Sequence, residues 1–227
     1  MSTEVIPEGY NRELLVAVST LANTKAPDRA ELCNMTLLPL VMDFEVSQTI
    51  LPVSLDWIPE NPLYFMEDIR DFRIQVNVPT KDKYLRTLES GNRLSTAKNR
   101  FEDWVKKVYA HSVNKIKPIY FNSGVELPLM IKFFGFSENG YPYYYDHFSF
   151  GHVCITSLCN YMNDYSMNRG GRVIFRSRGA GILGVCNKLG IAREDPINRY
   201  ATCLDLRNIY REMVSMGFME KYMGHDH

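Results

Sequence analysis

Residues 11–38, NRELLVAVSTLANTKAPDRAELCNMTLL, decide the fold class. Leu14, Leu15, Val18, Leu21 and Ala22 recur at helical spacing, and Glu13 stands near the start, where a carboxylate complements the helix dipole. This spacing predicts a short amphipathic helix over residues 11–22. Pro27-Asp28 opens a second helical stretch over residues 28–38. Pro39 must end it, because proline lacks an amide proton and clashes with the preceding turn.

Working outward, the same periodicity predicts more helix. Asn61-Pro62 opens a segment that runs through Phe65, Ile69 and Phe72 to Gln75, and Thr80 caps another over residues 81–89. Beyond Gly91, the residues Leu94, Ala97, Phe101, Trp104, Val105 and Val108 form one apolar stripe. The opposite face carries Arg93, Arg100, Lys106 and Lys107. Residues 153–165 read as helix, and so does a last segment with Asp195 as N-cap, Pro196 at N1 and Gly217 as stop. Only residues 44–53, apolar and β-branched but holding Pro52, read as extended. The fold expected is therefore mainly α: a two-lobed helical domain with a few short strands or irregular extended segments. Residues 1–9 form a flexible arm, residues 10–117 an N-terminal helical lobe, and residues 118–227 an aromatic and basic C-terminal helical lobe.

The chain has 227 residues, enough to bury a sizeable core without metal or disulfide help. Five cysteines without framework spacing fit a reducing compartment, cytoplasmic or otherwise intracellular. No apolar run approaches the roughly 18 residues of a membrane span. The N-terminus shows no basic region followed by an apolar one, so no secretory signal is read there.

Net charge is zero, but the charges come in blocks. Residues 1–80 hold five basic and twelve acidic groups, residues 81–117 ten and four, and residues 165–193 six and none. In this last block Arg169, Arg172, Arg176, Arg178, Lys188 and Arg193 stand among six glycines. An acid-free cluster of this kind suits an anion, and two basic blocks in one groove would concentrate a polyanion. Internal neutralisation explains the same blocks, and a solvated Lys-rich face explains the reverse of the 93–108 helix. The acidic first third could also meet the 81–117 block of another copy, giving head-to-tail association.

Residues 179–184, GAGILG, match G-x-G-x-x-G literally, after Val173-Ile174-Phe175. A dinucleotide fold is nonetheless not expected: Arg176-Ser177-Arg178 would occupy the end of the strand, and the other strand–helix units are not visible. His147, His152, Cys154 and Cys159 are all zinc-ligand types, but their spacing matches no established zinc pattern, and buried cysteine is an ordinary small apolar residue. No serine or cysteine has the context of an activated nucleophile. No catalytic residue, metal or cofactor is therefore assigned.

In size, helix content, loose arm and basic groove the chain is similar to the RNA-coating coat and nucleocapsid proteins of filamentous or negative-strand viruses. That resemblance implies a non-enzymatic protein that binds single-stranded nucleic acid, RNA above all, and oligomerises along it. Arg169, Arg172, Arg176, Arg178 and Arg193 would contact phosphates, supported by Lys106 and Lys107, while Tyr143, Tyr144 and Tyr145 would stack on bases. Two alternatives remain open: a protein-only scaffold or matrix-type oligomer, and a metal- or nucleotide-dependent enzyme using the 147–159 His/Cys cluster or the 179–184 glycine loop.

Overall fold

A computed structural model of the chain describes residues 13–22, 31–40, 50–58, 92–111, 113–175, 181–193 and 199–216. Within them the fold is α/β, not mainly helical. Strands β1 (Glu13–Ala22), β2 (Leu32–Pro39), β3 (Val53–Asp56), β4 (Lys115–Tyr120) and β5 (Val153–Cys154) form one mixed sheet in the order β3-β2-β1-β4-β5. β1 pairs antiparallel with β2 and parallel with β4, β2 pairs antiparallel with β3, and β4 pairs parallel with β5.

The two stretches expected as the first helices are thus the two central strands. The physical reason lies in their burial. Leu14, Val16 and Val18 point to one face of the sheet and Ala17 to the other, and both faces are covered. A strand buried on both sides has no polar face, so its apolar run satisfies a 3.6 period as easily as a period of two. β2 is buried along its whole length. Its Asn34 and Thr36 are satisfied across the ladder: Asn34 Nδ2 donates to Asp56 Oδ1 at 2.6 Å, and Thr36 Oγ1 lies 3.0 Å from Ser54 Oγ.

Six helices flank the sheet among the described residues: α1 (Leu94–Tyr109), α2 (Ser123–Phe134), α3 (Tyr144–His147), α4 (Ile155–Met167), α5 (Ile182–Leu189) and α6 (Arg199–Ser215). One face packs against α1, α2 and α3, with Phe101, Trp104, Met130, Phe133 and Tyr144 meeting Val16, Met35 and Ile116. The other packs against α4, α5 and α6, with Ile155, Met162, Val185, Leu206 and Ile209 meeting Ala17, Leu38 and Ile119. The apolar stripe predicted for residues 94–108 is the buried face of α1. The helices expected near residues 153–165 and 195–216 correspond to α4 and α6.

The lobe boundary placed at residues 117/118 falls inside β4, and β4 pairs with β1 in a single sheet. The helices expected over 61–75 and 81–89, the arm over 1–9 and most of the blocks expected to join copies head to tail lie outside the described residues. No helix among the described residues is long and apolar enough to cross a membrane.

Each large apolar side chain buried in these two cores contributes roughly 1.5–3 kcal/mol. Ile116, fully buried at the centre of the first face, tests the arrangement. Ile116→Ala should cost about 3 kcal/mol, read as a lower urea midpoint at unchanged slope. A loss below about 1 kcal/mol would contradict that packing.

Candidate functional site at the carboxyl edge of the sheet

β1, β4 and β5 run parallel, so their carboxyl ends share one edge. In open sheets of parallel strands the helices begin at this edge and ligands settle there. Here β4 ends at Tyr120 and α2 begins at Ser123, and β5 ends at Cys154 and α4 begins at Ile155. Two helix N-termini, each a concentration of unpaired amide donors, therefore open at the same edge.

Glu126 lies in the first turn of α2 and turns back on it, its Oε2 accepting from the Asn122 amide at 3.1 Å. Although part of its surface stays open, it is set deep enough among protein atoms for desolvation to push its carboxyl up to about 7. The backbone amides of Asn122 and Phe121 and the charge of Arg199 oppose that rise without cancelling it. Since the folded value exceeds the ordinary one, the fold favours the protonated acid, an advantage lost as pH rises through about 7.

Arg199, the first residue of α6, interacts electrostatically with Glu126 and with Cys33 and Cys203. Its Nε is buried without a hydrogen-bond partner. Burial lowers its proton affinity, and these neighbours partly restore it. Beneath it Cys203, fully buried, donates to the Thr36 carbonyl at 3.3 Å. Ser19, also buried, faces Cys203 through its backbone. Burial raises the Cys203 thiol far above its ordinary range, so it is neutral here.

Cys154 behaves oppositely. Burial would raise its thiol, but the hydroxyls of Ser123, Ser157 and Thr156 and the Ser123 amide outweigh burial and bring it down to about 6. Thr156 Oγ1 lies 3.1 Å from its Sγ. As the N-cap of α4, Cys154 meets the helix dipole that favours a thiolate. A cleft of about 250 Å³ opens beside the last residues of β1, where Ala22 pairs with Leu32. Trp57 and Phe133, whose ring centroids are 4.8 Å apart, line it together with Leu129, Lys132 and Glu31.

The structure does not gather the residues expected from sequence. Arg176 and Arg178 lie outside the described residues, as do Gly179 and Ala180 of the glycine motif. Val173 to Phe175 is not a strand; Gly181 is simply the N-cap of α5. Arg193 is not available to phosphate: its Nε donates to Asp205 Oδ2 at 2.7 Å, with only 10% and 5% of the two side chains exposed. Arg169 and Arg172 are exposed beyond the C-terminus of α4, and the 13 residues of that helix put about 20 Å between them and Cys154. Arg169 stacks on Tyr165 at 4.3 Å. Lys106 and Lys107 are exposed in the last turn of α1, and Lys106 pairs with Asp103 at 3.2 Å.

The backbone at Tyr145 lies beside the start of β4, away from this edge. Lys115, which starts β4, donates to the carbonyls of Tyr145 and Asp146. Tyr144 is buried and shares a 2.9 Å hydrogen bond with Tyr120, so it cannot stack on a base; Tyr143 is exposed, and Tyr145 stacks on Phe150 at 4.4 Å. Nor do the zinc-type residues meet. His147 lies 3.3 Å from Tyr109 and 3.4 Å from Glu102, His152 packs edge-on to Tyr120, and Cys159 is buried in the second core. Among the described residues no three His, Cys, Asp or Glu side chains are placed to hold a metal ion.

Sequence reasoning missed Glu126, Arg199, Ser19 and Cys203. A local signal exists for Glu126 alone: Asn122 followed four residues later by Glu126 resembles a helix start.

No family model and no curated sequence matches the chain. Its fold does match solved structures of exonuclease I. A product-bound form aligns with TM-score 0.57 and 12% identity over 90% of this chain and 44% of that one. An ExoI/SSB-Ct complex gives 0.53, 10%, 90% and 41%, and an inhibitor complex gives 0.50, 12%, 94% and 46%. The chain thus spans less than half the length of these neighbours. At such identity the likeness concerns the fold, which resembles a nuclease fold. The resemblance to viral coat and nucleocapsid proteins is overturned, because it rested on a helical architecture that the chain does not have.

Two measurements follow from this geometry. With iodoacetamide at neutral pH, Cys154 should be alkylated ahead of Cys159 and Cys186, which burial pushes up to about 12 and about 11, with a rate midpoint at about pH 6. Peptide mapping that finds either of the others first would contradict the hydroxyl cradle. For Arg193 and Asp205, Asp205→Ala should cost about 3 kcal/mol by stranding a buried guanidinium, and adding Arg193→Met should recover much of it. A double variant no more stable than the single would mean that the pair contributes more than mutual neutralisation.

Proposed function

We propose that the protein is a nuclease-like domain that acts on nucleic acid, received as a single strand over the carboxyl edge of β1, β4 and β5. The observation that carries this reading is the exonuclease I-like fold, at whose carboxyl edge Glu126 lies in the first turn of α2 within the electrostatic reach of Arg199. A phosphodiester is an anion. The Arg199 guanidinium and the first-turn amides of α2 and α4 are the donors that favour one. The cleft lined by Trp57, Phe133 and Leu129, with Lys132 and Glu31 among its polar groups, offers a partly apolar recess beside that edge.

Glu126, held at about 7, has the proton affinity of a general base at neutral pH. In hydrolysis it would take the proton of the attacking water as that oxygen bonds to phosphorus. The ester P–O bond would break, and the departing oxygen would be protonated from solvent. The thiolate character of Cys154 is not used in this step.

End-labelled single-stranded DNA and RNA oligonucleotides, followed by anisotropy and denaturing gels, test the reading. Binding with progressive shortening is expected, and Glu126→Gln should slow shortening by about 10²-fold while leaving binding in place. Binding without shortening would remove the role given to Glu126. Neither binding nor shortening of either polymer would end the proposal.

A further inference from the structure

The chain leaves the C-terminus of α4 at Asn168 and folds back on the last turn of the helix. The Ser166 carbonyl accepts from the Arg169 and Gly171 amides at 3.1 and 2.9 Å, and Ser166 Oγ donates to the Arg172 carbonyl at 2.9 Å. Gly170 takes a φ of 76°, where a side chain would be strained, and a Cβ on Gly171 would collide with the Ser166 hydroxyl. Beyond the turn the buried Asn163 fixes the chain. Its Oδ1 accepts from the Ile174 and Phe175 amides at 2.9 and 2.7 Å, and its Nδ2 donates to the Phe175 carbonyl at 2.6 Å. A turn bonded at both ends has little freedom left to lose when a ligand arrives.

Arg169 and Arg172 are exposed on this turn, and neither forms an ion pair with a carboxylate among the described residues. Arg169 lies over the Tyr165 ring at 4.3 Å, and Tyr165 stacks on Tyr161 of the preceding helical turn at 6.5 Å. A guanidinium held on a ring face keeps its donors for a forked bond to an oxyanion. The end of a helix opposes an anion with about half a negative charge, which two full positive charges outweigh.

We propose that this turn is a second contact for the single strand, taking phosphates at Arg169 and Arg172 about 20 Å from the carboxyl edge. The inference rests on the preceding reading and extends it. α4 starts at that edge and ends at this turn, so a strand running along the helix reaches both. Two arginines beside stacked tyrosines favour a nucleic acid over an acidic polypeptide, because bases stack on aromatic and guanidinium planes and carboxylate side chains do not.

Anisotropy of the full chain with a labelled oligothymidylate of about 12 nucleotides, its linkages phosphorothioate to resist hydrolysis, tests this in increasing salt. Arg169→Gln combined with Arg172→Gln should weaken binding roughly tenfold at about 0.1 M salt. The slope of log K against log salt should become shallower by about 1.4, the share of two single-strand phosphates. Tyr165→Leu, which removes the ring under Arg169, should cost about threefold at unchanged slope. Thermal melting of the double variant should match the unaltered chain, since both side chains are exposed. A double variant with the affinity and slope of the unaltered chain would overturn the inference and leave the edge reading standing. Polyglutamate that displaces the strand as well as unlabelled oligothymidylate does would also overturn it, by assigning the turn to acidic proteins. No binding by the unaltered chain would remove the nucleic-acid reading itself, and this contact with it.

Discussion

The parallel pairing of β1 with β4, from Glu13 opposite Lys115 to Ala17 opposite Ile119, is the constraint on which the rest depends. It places β1 at the centre of the sheet, with β2 on its other side, and leaves both faces of the strand to be covered. Helices on both faces follow, because an open sheet with an uncovered apolar face is not stable in water. It also fixes direction: with β1, β4 and β5 aligned, the starts of α2 and α4 fall together at one edge. The site is a consequence of that alignment.

What distinguishes the edge chemically is its unequal treatment of ionisable groups. Glu126 and Cys203 are shifted toward their neutral forms, while Cys154, only half-buried and surrounded by hydroxyls, is shifted toward its charged form. Desolvation acts on all three, and the number of donors aimed at each decides the outcome. Arg199 acts only as a secondary influence, opposing the rise at Glu126 and Cys203. The second charged pair of the region, Arg193 with Asp205, is closed on itself and serves the packing of α6 against the loop that follows α5.

The amphipathic elements were legible in the sequence. α1, α4 and α6 each bury one stripe and expose another, so their period is written in the residues, from Ala97 to Val108 most clearly. β1 and β2 were not legible, because burial on both faces erases the alternation that marks a strand. The site was hidden for a different reason. Local concentration drew attention to the arginines of 165–193, yet Arg193 is internally paired and Arg169 and Arg172 sit at the far end of α4. Glu126 and Arg199 come from distant segments, and only the folded topology brings them within electrostatic reach of each other.

Ser19, Glu126, Cys154 and Arg199 belong to four separate parts of the chain, and the contact of Cys203 with Thr36 spans 167 positions. The arrangement of groups at this edge therefore has no local precursor: it is a property of the completed topology. Rich in such distant pairings, the domain belongs among slow rather than fast folders, since loop closure must precede the contacts that reward it. α6 bears the heaviest share, for it carries both Arg199 and Cys203 and packs across β1 and β2. Any transient detachment of that one helix would disperse the site while leaving the first core intact, so competence and global folding need not be lost together.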